Sequence, residues 1–384
     1  MRILSVSHSC VVSEYQKRIS EVAKYSSVEL TLLVPKHWLQ FNKMVNLEEQ
    51  RGSSHRVLSV QPITWGFRKN SMRNVTHIYP NMKRILAKIE PDIIEIWEEP
   101  FSAVSAHIIF VARRIVPQAR IIFFSAQNIL KKYPVPFSVF EKYTFKNSAH
   151  AFVMNDEVAR VIKKKGYSKG FDVLPLGVDP EIFCKEDVFS LKKKLGIRDF
   201  VVGFIGKIAV QKGILVLIEA ASQITENIQL LIIGNGDLKE KVEELVISSG
   251  LRQRTIIVDA VVHSQVPDYL NCMDVLVSPS ITTPRLKEQF GRVLIEAMAC
   301  QVPVIGSSSG QIPATIGEAG LIFKEGNVID LKGKIETLIK DRNLRALLGK
   351  NGRKRVLENF TWKTIAEKQY QAYTRLMNGV TCAT

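Results

Sequence analysis

Glu288 and Glu296 anchor the most informative stretch of this sequence, Glu288-Gln-Phe-Gly-Arg-Val-Leu-Ile-Glu296-Ala-Met-Ala-Cys-Gln-Val-Pro-Val-Ile-Gly306. A polar, proline-bearing loop over 279–287 runs into a helix predicted to open near Phe290-Gly291. A helix N-terminus presents unpaired N–H groups and a partial positive charge, which suits a diphosphate. Gly291 has no side chain, so a ligand can approach the backbone there. The carboxylates are good acceptors for sugar hydroxyls. Glu288 is equally accounted for as an acid at a helix start. Glu296, set in an apolar run between Ile295 and Ala297, is harder to explain that way.

A second cluster is Gly203-Phe-Ile-Gly206-Lys207-Ile-Ala-Val-Gln-Lys212-Gly213. It is not a P-loop, since G-x-x-x-x-G-K-[ST] is absent. Two lysines at a glycine turn still suit a diphosphate, whose charge they would stabilise on departure; as surface lysines of a basic protein they would be unremarkable. A third turn, Ile232-Ile-Gly234-Asn-Gly236-Asp237, is a weak signal by itself. The seven histidines are scattered, and His8 alone lies in a loop expected at a ligand cleft. The five cysteines (Cys10, Cys184, Cys272, Cys300 and Cys382) form no C-x-x-C pair. That argues against a zinc site or a disulfide framework and fits a reducing cytoplasm. No metal site is expected.

Elements of two kinds must position these residues. Nearly unbroken apolar runs predict strands at Ile3–Val6, Val28–Val34, Asp92–Ile96, Arg120–Phe124, Ala149–Met154 and Asp172–Leu176. Helical stretches lie between them at Glu14–Tyr25, Tyr79–Glu90, Ala103–Val116 and Asp156–Lys165. Such runs are typical of strands covered on both faces of a parallel sheet. The alternation pauses at Val173-Leu-Pro-Leu-Gly-Val-Asp-Pro180, where a domain boundary is predicted. It resumes with strands at Phe200–Ile205, Gln229–Gly234, Thr255–Val258, Asp274–Ser278, Val302–Gly306 and Leu321–Phe323. Helices are predicted at Gly213–Thr225, Leu238–Ser249, Gln265–Asn271, Phe290–Cys300, Ile329–Lys340, Asn343–Glu358 and Trp362–Met377. The expected class is α/β, with two doubly wound, Rossmann-like domains whose strand ends face a shared cleft.

Length and charge bound the rest. The 384 residues suit two ordinary domains. Net charge is +16, and residues 1–180 hold 26 Lys+Arg against 15 Asp+Glu, or +11. A basic first half suits an anionic partner such as a membrane surface or a phosphorylated acceptor, or simply a solvated surface. No zinc finger or RNP aromatic motif is present, so no nucleic-acid partner is expected. No secretory leader and no apolar run of membrane-spanning length is read. Lys131-Lys132 and the following Phe137, Phe140, Lys142, Phe145 and Lys146 form either an interfacial membrane face or core aromatics among solvated lysines.

Together, the Glu288-x₇-Glu296 pair, the Gly-Lys-x₄-Lys-Gly turn, the Ile-Gly-Asn-Gly turn and Leu176-Gly-Val-Asp179 resemble the retaining glycosyltransferases of family 4, which have the GT-B fold. The resemblance covers nearly the whole chain and is strongest from Leu174 to Phe323. It implies an acceptor domain over 1–178 joined by a C-terminal helix within 362–384, and a nucleotide-sugar domain over 179–361. Glu288 would hold donor-sugar hydroxyls, and Lys207 and Lys212 would bind the diphosphate. Phe290, Gly291, Arg292 and Val293 would offer backbone amides. Glu296 would bind the ribose, Gly206, Gly234 and Gly236 would line the nucleotide pocket, and Val261 to His263 would lie near the base.

The chain also departs from the family. Its first loop, Ser7-His8-Ser9-Cys10-Val11-Val12-Ser13-Glu14-Tyr15, lacks the glycine pair of many relatives. Gln127 or Asn128 stands where many carry a histidine. Glu98 and Glu99 match a family stretch, and with His8, Tyr15, Gln127 and Asn128 they are the acceptor-side candidates. The resemblance implies hexosyl transfer from a nucleotide-diphosphate sugar with retention, by front-face attack and without a metal. The acceptor would be a glycan or lipid-linked glycan, met in the cytoplasm or at the inner face of the membrane. The rival readings are a nucleotide-sugar epimerase or hydrolase on the same fold, and a non-catalytic nucleotide-sugar-binding protein.

Overall fold

The computed structural model describes residues 1–40, 43–48, 54–64 and 70–379. Cys382 and the rest of the expected C-terminal segment beyond 379 lie outside them. The chain forms two compact units, one from Met1 to Pro175 completed by the chain from Trp362 onward, the other from Leu176 to Thr361.

In chain order the first unit contains β1 (Arg2–Val6), β2 (Glu29–Val34), β3 (His37–Gln40), β4 (Lys43–Asn46), β5 (Arg56–Ser59), β6 (Ile63–Thr64), β7 (His77–Ile78), β8 (Ile93–Ile96), β9 (Arg120–Ser125), β10 (His150–Val153) and β11 (Phe171–Val173). Seven of them make one parallel sheet in the order β11-β10-β9-β8-β1-β2-β5. The small pairs β3–β4 and β6–β7 are antiparallel. Strand order reverses between β1 and β8, which pair directly as Ile3↔Ile93 through Val6↔Ile96. Leu4, Val6, Ile94, Ile96, Ile121 and the helix residues Val104, Ile108 and Ile109 are fully buried in the core on this sheet.

The second unit contains β12 (Phe200–Ile205), β13 (Ile228–Ile233), β14 (Thr255–Val258), β15 (Val275–Ser278), β16 (Val304–Ser307) and β17 (Gly320–Phe323). They form a parallel sheet in the order β14-β13-β12-β15-β16-β17, reversing between β12 and β15. Helices Ile214–Ser222 and Val328–Lys340 contribute Leu217, Ile218, Leu331 and Ile335 to its core. Both sheets have the doubly wound form in which ligands bind beyond the carboxyl ends of the strands at the reversal.

Two expected helices start late for local reasons. The one expected from Tyr79 runs Met82–Ile89, because Tyr79 precedes Pro80 and is disfavoured in helical conformation. The one expected from Phe290 runs Arg292–Ala299, because Gly291 sits before it as a cap at φ 80°. The last helix, Trp362–Met377, packs on helix Ser13–Val22 of the first unit. Tyr370 stacks on Tyr25 at 3.9 Å between ring centres, and the Arg375 guanidinium grips Asp172 at 2.7 and 2.8 Å. Among the described residues no helix is long and apolar enough to cross a membrane.

Candidate active site

In the second unit, the loops after β12 and β15 leave adjacent strand ends on the two sides of the reversal, and topology therefore brings Lys212 to Glu288. The Lys212 Nζ lies 2.7 Å from Glu288 Oε2, and Ser280 donates its hydroxyl to the same oxygen at 3.0 Å. The loops are also joined through the backbone, Ile281 N–H to the Gln211 carbonyl at 2.9 Å. Burial by itself would raise the Glu288 carboxyl. The charge of Lys212, with hydrogen bonds from Lys212, Ser280 and the Phe290 N–H, more than offsets it and holds the group below its ordinary value. Glu288 is thus a carboxylate at neutral pH, an acceptor of hydrogen bonds rather than a proton donor.

Beyond it the backbone turns through Gly291 into helix Arg292–Ala299. Phe290 is buried, and its carbonyl accepts from the Thr315 hydroxyl at 2.7 Å. Arg292 and Val293 form the first positions of the helix and are half-buried. One turn on, Glu296 is buried, with Arg292 Nε 2.9 Å from its Oε1. His263 Nε2 stands 2.9 Å from the same oxygen and 3.1 Å from the Arg292 guanidinium. Sequence reading placed His263 only in the neighbourhood of the base, through Val261. Thirty-three residues separate it from Glu296, and nothing in that spacing announces the contact. Val261 itself is half-buried in the loop after β14.

The glycine turns after β12 and β13 interlock. Gly206 N–H donates to the Ile233 carbonyl at 3.0 Å, and Ile208 N–H to the Asn235 carbonyl at 2.9 Å. A Cβ on Gly234 would run into the Gly206 carbonyl, and one on Gly236 into that of Ile208. Gly234→Ala is therefore expected to destabilise the second unit by about 1–3 kcal/mol through forced backbone shifts, read by urea unfolding. An unchanged midpoint would mean that the turn has slack the geometry does not show. Lys207 is a surface residue here, 3.2 Å from Asp237.

In the first unit, the loops at the reversal between β1 and β8 carry His8 and Glu98. The His8 backbone N–H donates to Glu98 Oε1 at 2.8 Å, and His8 Nδ1 lies 2.6 and 2.7 Å from the two carboxylate oxygens. Trp38 and His77 pack on the His8 ring at 5.2 and 5.6 Å. Burial, aided by His8 and opposed by Glu98, pushes the His77 imidazole down to about 4. Glu99 takes the Ser125 hydroxyl at 2.8 Å and the Ala126 N–H at 2.9 Å. Burial pushes its carboxyl up to about 7, the two donors offsetting only part.

Both carboxylates on this strand end are thus engaged by the protein. The remaining acceptor-side candidates are held locally. Gln127 Oε1 accepts from the Ile129 N–H at 3.2 Å, Asn128 donates to Glu157 at 3.3 Å, and the Tyr15 N–H donates to the Val12 carbonyl at 3.1 Å. Of the basic and aromatic segment, Phe145 is core, packed between Phe123 and Tyr167. Val135 and Val139 are exposed beside Lys142.

Residues 187–355 match the family of glycosyl transferases group 1. The capsular polysaccharide biosynthesis glycosyltransferase CapM of Staphylococcus aureus is 34% identical over 189 residues, 48% of this chain and 48% of its own. The chain spans about half the length of that relative. Among solved structures, sucrose-phosphate synthase from Thermosynechococcus elongatus superposes with a TM-score of 0.75 at 22% identity, covering 99% of this chain and 100% of that one. HepE of Anabaena in complex with UDP and glucose gives 0.71 at 17%, covering 97% and 99%. The fold is GT-B, and over residues 187–355 the chain is similar to the group 1 glycosyl transferases.

Proposed function

We propose that this protein transfers a hexosyl group from a nucleotide-diphosphate sugar to a glycan or lipid-linked acceptor, with retention of configuration, in surface-polysaccharide assembly on the cytoplasmic side of the membrane. The observation that carries the reading is the Lys212–Glu288 pair at the strand reversal, in the loop that leads into the helix of the buried Glu296. Support comes from two similar proteins: CapM, a glycosyltransferase of capsular polysaccharide biosynthesis, and HepE, whose structure holds UDP and glucose.

In this reading Glu288 accepts hydroxyls of the donor sugar, and Glu296 those of the ribose. Lys212, Lys207 and the backbone amides of Arg292 and Val293 neutralise the diphosphate as the bond to the anomeric carbon breaks. No resident metal is assigned to that step. Gly206, Gly234 and Gly236 keep the floor of the nucleotide pocket free of side chains, and Val261 and His263 meet the base. The residues at the first unit's strand reversal, His8, Tyr15, Glu98, Glu99, Gln127 and Asn128, serve the acceptor. Exposed Val135 and Val139 beside Lys142 suit contact with an anionic lipid surface.

A ligand that binds only the native state raises the unfolding midpoint with its concentration. One base class among UDP-, GDP-, ADP- and dTDP-sugars is expected to do so, and Glu296→Ala to lose most of the shift. A panel that leaves the wild-type midpoint unmoved at millimolar ligand would overturn the donor assignment.

A further inference from the structure

His8, His77 and Glu98 come from three separate places in the first unit: the loop after β1, strand β7 and the loop after β8. Each offers a ligand atom, and these atoms all lie within 4.8 Å of one another. Glu98 and His77 are buried, and the side chain of His8 is 17% exposed, which leaves an entry from solvent through His8 alone.

The electronic arrangement is more telling than the proximity. His77 Nδ1 lies 3.2 Å from the Arg73 carbonyl, which can only accept, so the ring proton sits on Nδ1. Nε2 therefore points a bare lone pair into the protein. Among the described residues it has no hydrogen-bond partner, and Glu98 Oε1 stands 3.9 Å away. Two acceptors facing each other in a buried site repel unless something positive lies between them. The hydroxyl of Tyr79, two residues along from His77 and fully buried, is also without a partner among the described residues. A histidine whose outer nitrogen donates to a backbone carbonyl is the usual arrangement of a metal ligand, with the carbonyl fixing tautomer and ring orientation.

We propose that His8, His77 and Glu98 bind a divalent transition-metal cation of the zinc class. Two imidazoles and one carboxylate match the three-ligand set of zinc sites that keep a fourth position open. Bonds of about 2.0–2.1 Å place the ligands of a tetrahedral ion about 3.4 Å apart, so His8 and Glu98, now 2.6 and 2.7 Å apart, need to open, and His77, 3.9 Å from Glu98, needs to close in. The ion would replace the direct His8–Glu98 contact and join the β1 and β8 loops to β7 at the strand reversal. Its open position would be available to water or an oxygen of a bound molecule. The site lies wholly on the first unit, whereas the proposed donor residues all belong to the second, so it stands or falls independently of the donor assignment; of the acceptor-side residues it takes His8 and Glu98.

The test is calorimetric titration of Zn²⁺ alone into full-length, untagged, chelator-treated protein. One ion per chain is expected to bind, raising the unfolding midpoint with zinc concentration. His77→Gln and Glu98→Gln should each weaken it at least tenfold, and Cys184→Ser should leave it unchanged. Absence of saturable one-per-chain binding overturns the proposal, leaving a water between His77 and Glu98. Weakening by less than tenfold in both variants, or loss of binding in Cys184→Ser, overturns it equally. Should the buried variants not fold, His8→Ala at the partly exposed position and the visible spectrum of the Co²⁺-loaded wild type decide. Imidazole and carboxylate ligation supports the site, and a thiolate charge-transfer band overturns it.

Discussion

Arg18→Ala is expected to destabilise the first unit by about 3–5 kcal/mol, the cost of breaking a buried ion pair by removing one partner. Its partner, Glu95, projects from the middle of β8 opposite Ser5 of β1 and has no solvent exposure. Three donors hold the carboxylate: the Ser5 hydroxyl at 2.6 Å, Arg18 at 2.8 Å and the Gln369 amide at 2.6 Å. Arg18 is itself buried and lies 3.6 Å over the Trp97 ring. Without it, Glu95 keeps only neutral donors among the described residues, in a buried site. Gln369 belongs to the last helix, so the same carboxylate also fastens that helix to the sheet. All four tryptophans (Trp38, Trp65, Trp97 and Trp362) lie in the first unit's part of the chain. Tryptophan fluorescence during urea unfolding therefore reads this unit by itself. Replacing both partners with apolar residues, Arg18→Met with Glu95→Leu, should lose much less than the two single losses added together. A loss below about 1 kcal/mol for Arg18→Ala would show that the pair behaves as an exposed one does.

The same strands show why the sheets were legible in the sequence. Phe200–Ile205 and Ile228–Ile233 are central, covered on both faces, and appear as nearly unbroken apolar runs. The edge strand Arg56–Ser59 and the hairpin of β3 and β4 passed unread. They are four residues long, and the exposed positions of Arg56–Ser59 dilute the apolar signal that marks a covered strand. The Glu288 and Glu296 stretch was legible because one loop and one helix turn contain it. His8, His77 and Glu98 were not. Their positions, 8, 77 and 98, show no ligand spacing, and only the adjacency of β1 with β8 and the return of β7 bring them together. The aromatic segment after Lys131 left two readings open because helical spacing does not say which face of Phe137–Asn147 is inward. Phe145 turns in and Val139 turns out.

In the proposed function, Lys212→Ala is expected to lower transferase turnover by about 10²–10³-fold, the range for removing one donor that stabilises a developing anion. It should also change the pH dependence of the second unit's stability. In the wild type the folded Glu288 carboxyl is held below its ordinary 4.5, chiefly by Lys212 working against burial. A depressed folded value contributes stability above the unfolded value, and this is lost as pH falls through the folded one. Without Lys212 burial prevails and the carboxyl rises, so the variant loses most at neutral pH and recovers on acidification. The gap between the two proteins in the second unit's urea midpoint should thus be wide at pH 7 and close as pH falls below the ordinary carboxyl value of 4.5 and through the depressed folded one. A gap independent of pH would show that Lys212 does not hold the carboxylate. Glu288→Gln in the Lys212→Ala background then separates the lysine's two duties. If stability returns while turnover stays low, Lys212 acts on the diphosphate itself. If turnover returns with stability, its work is to hold residue 288 in place, and the charge on the leaving group is met by the helix amides and Lys207.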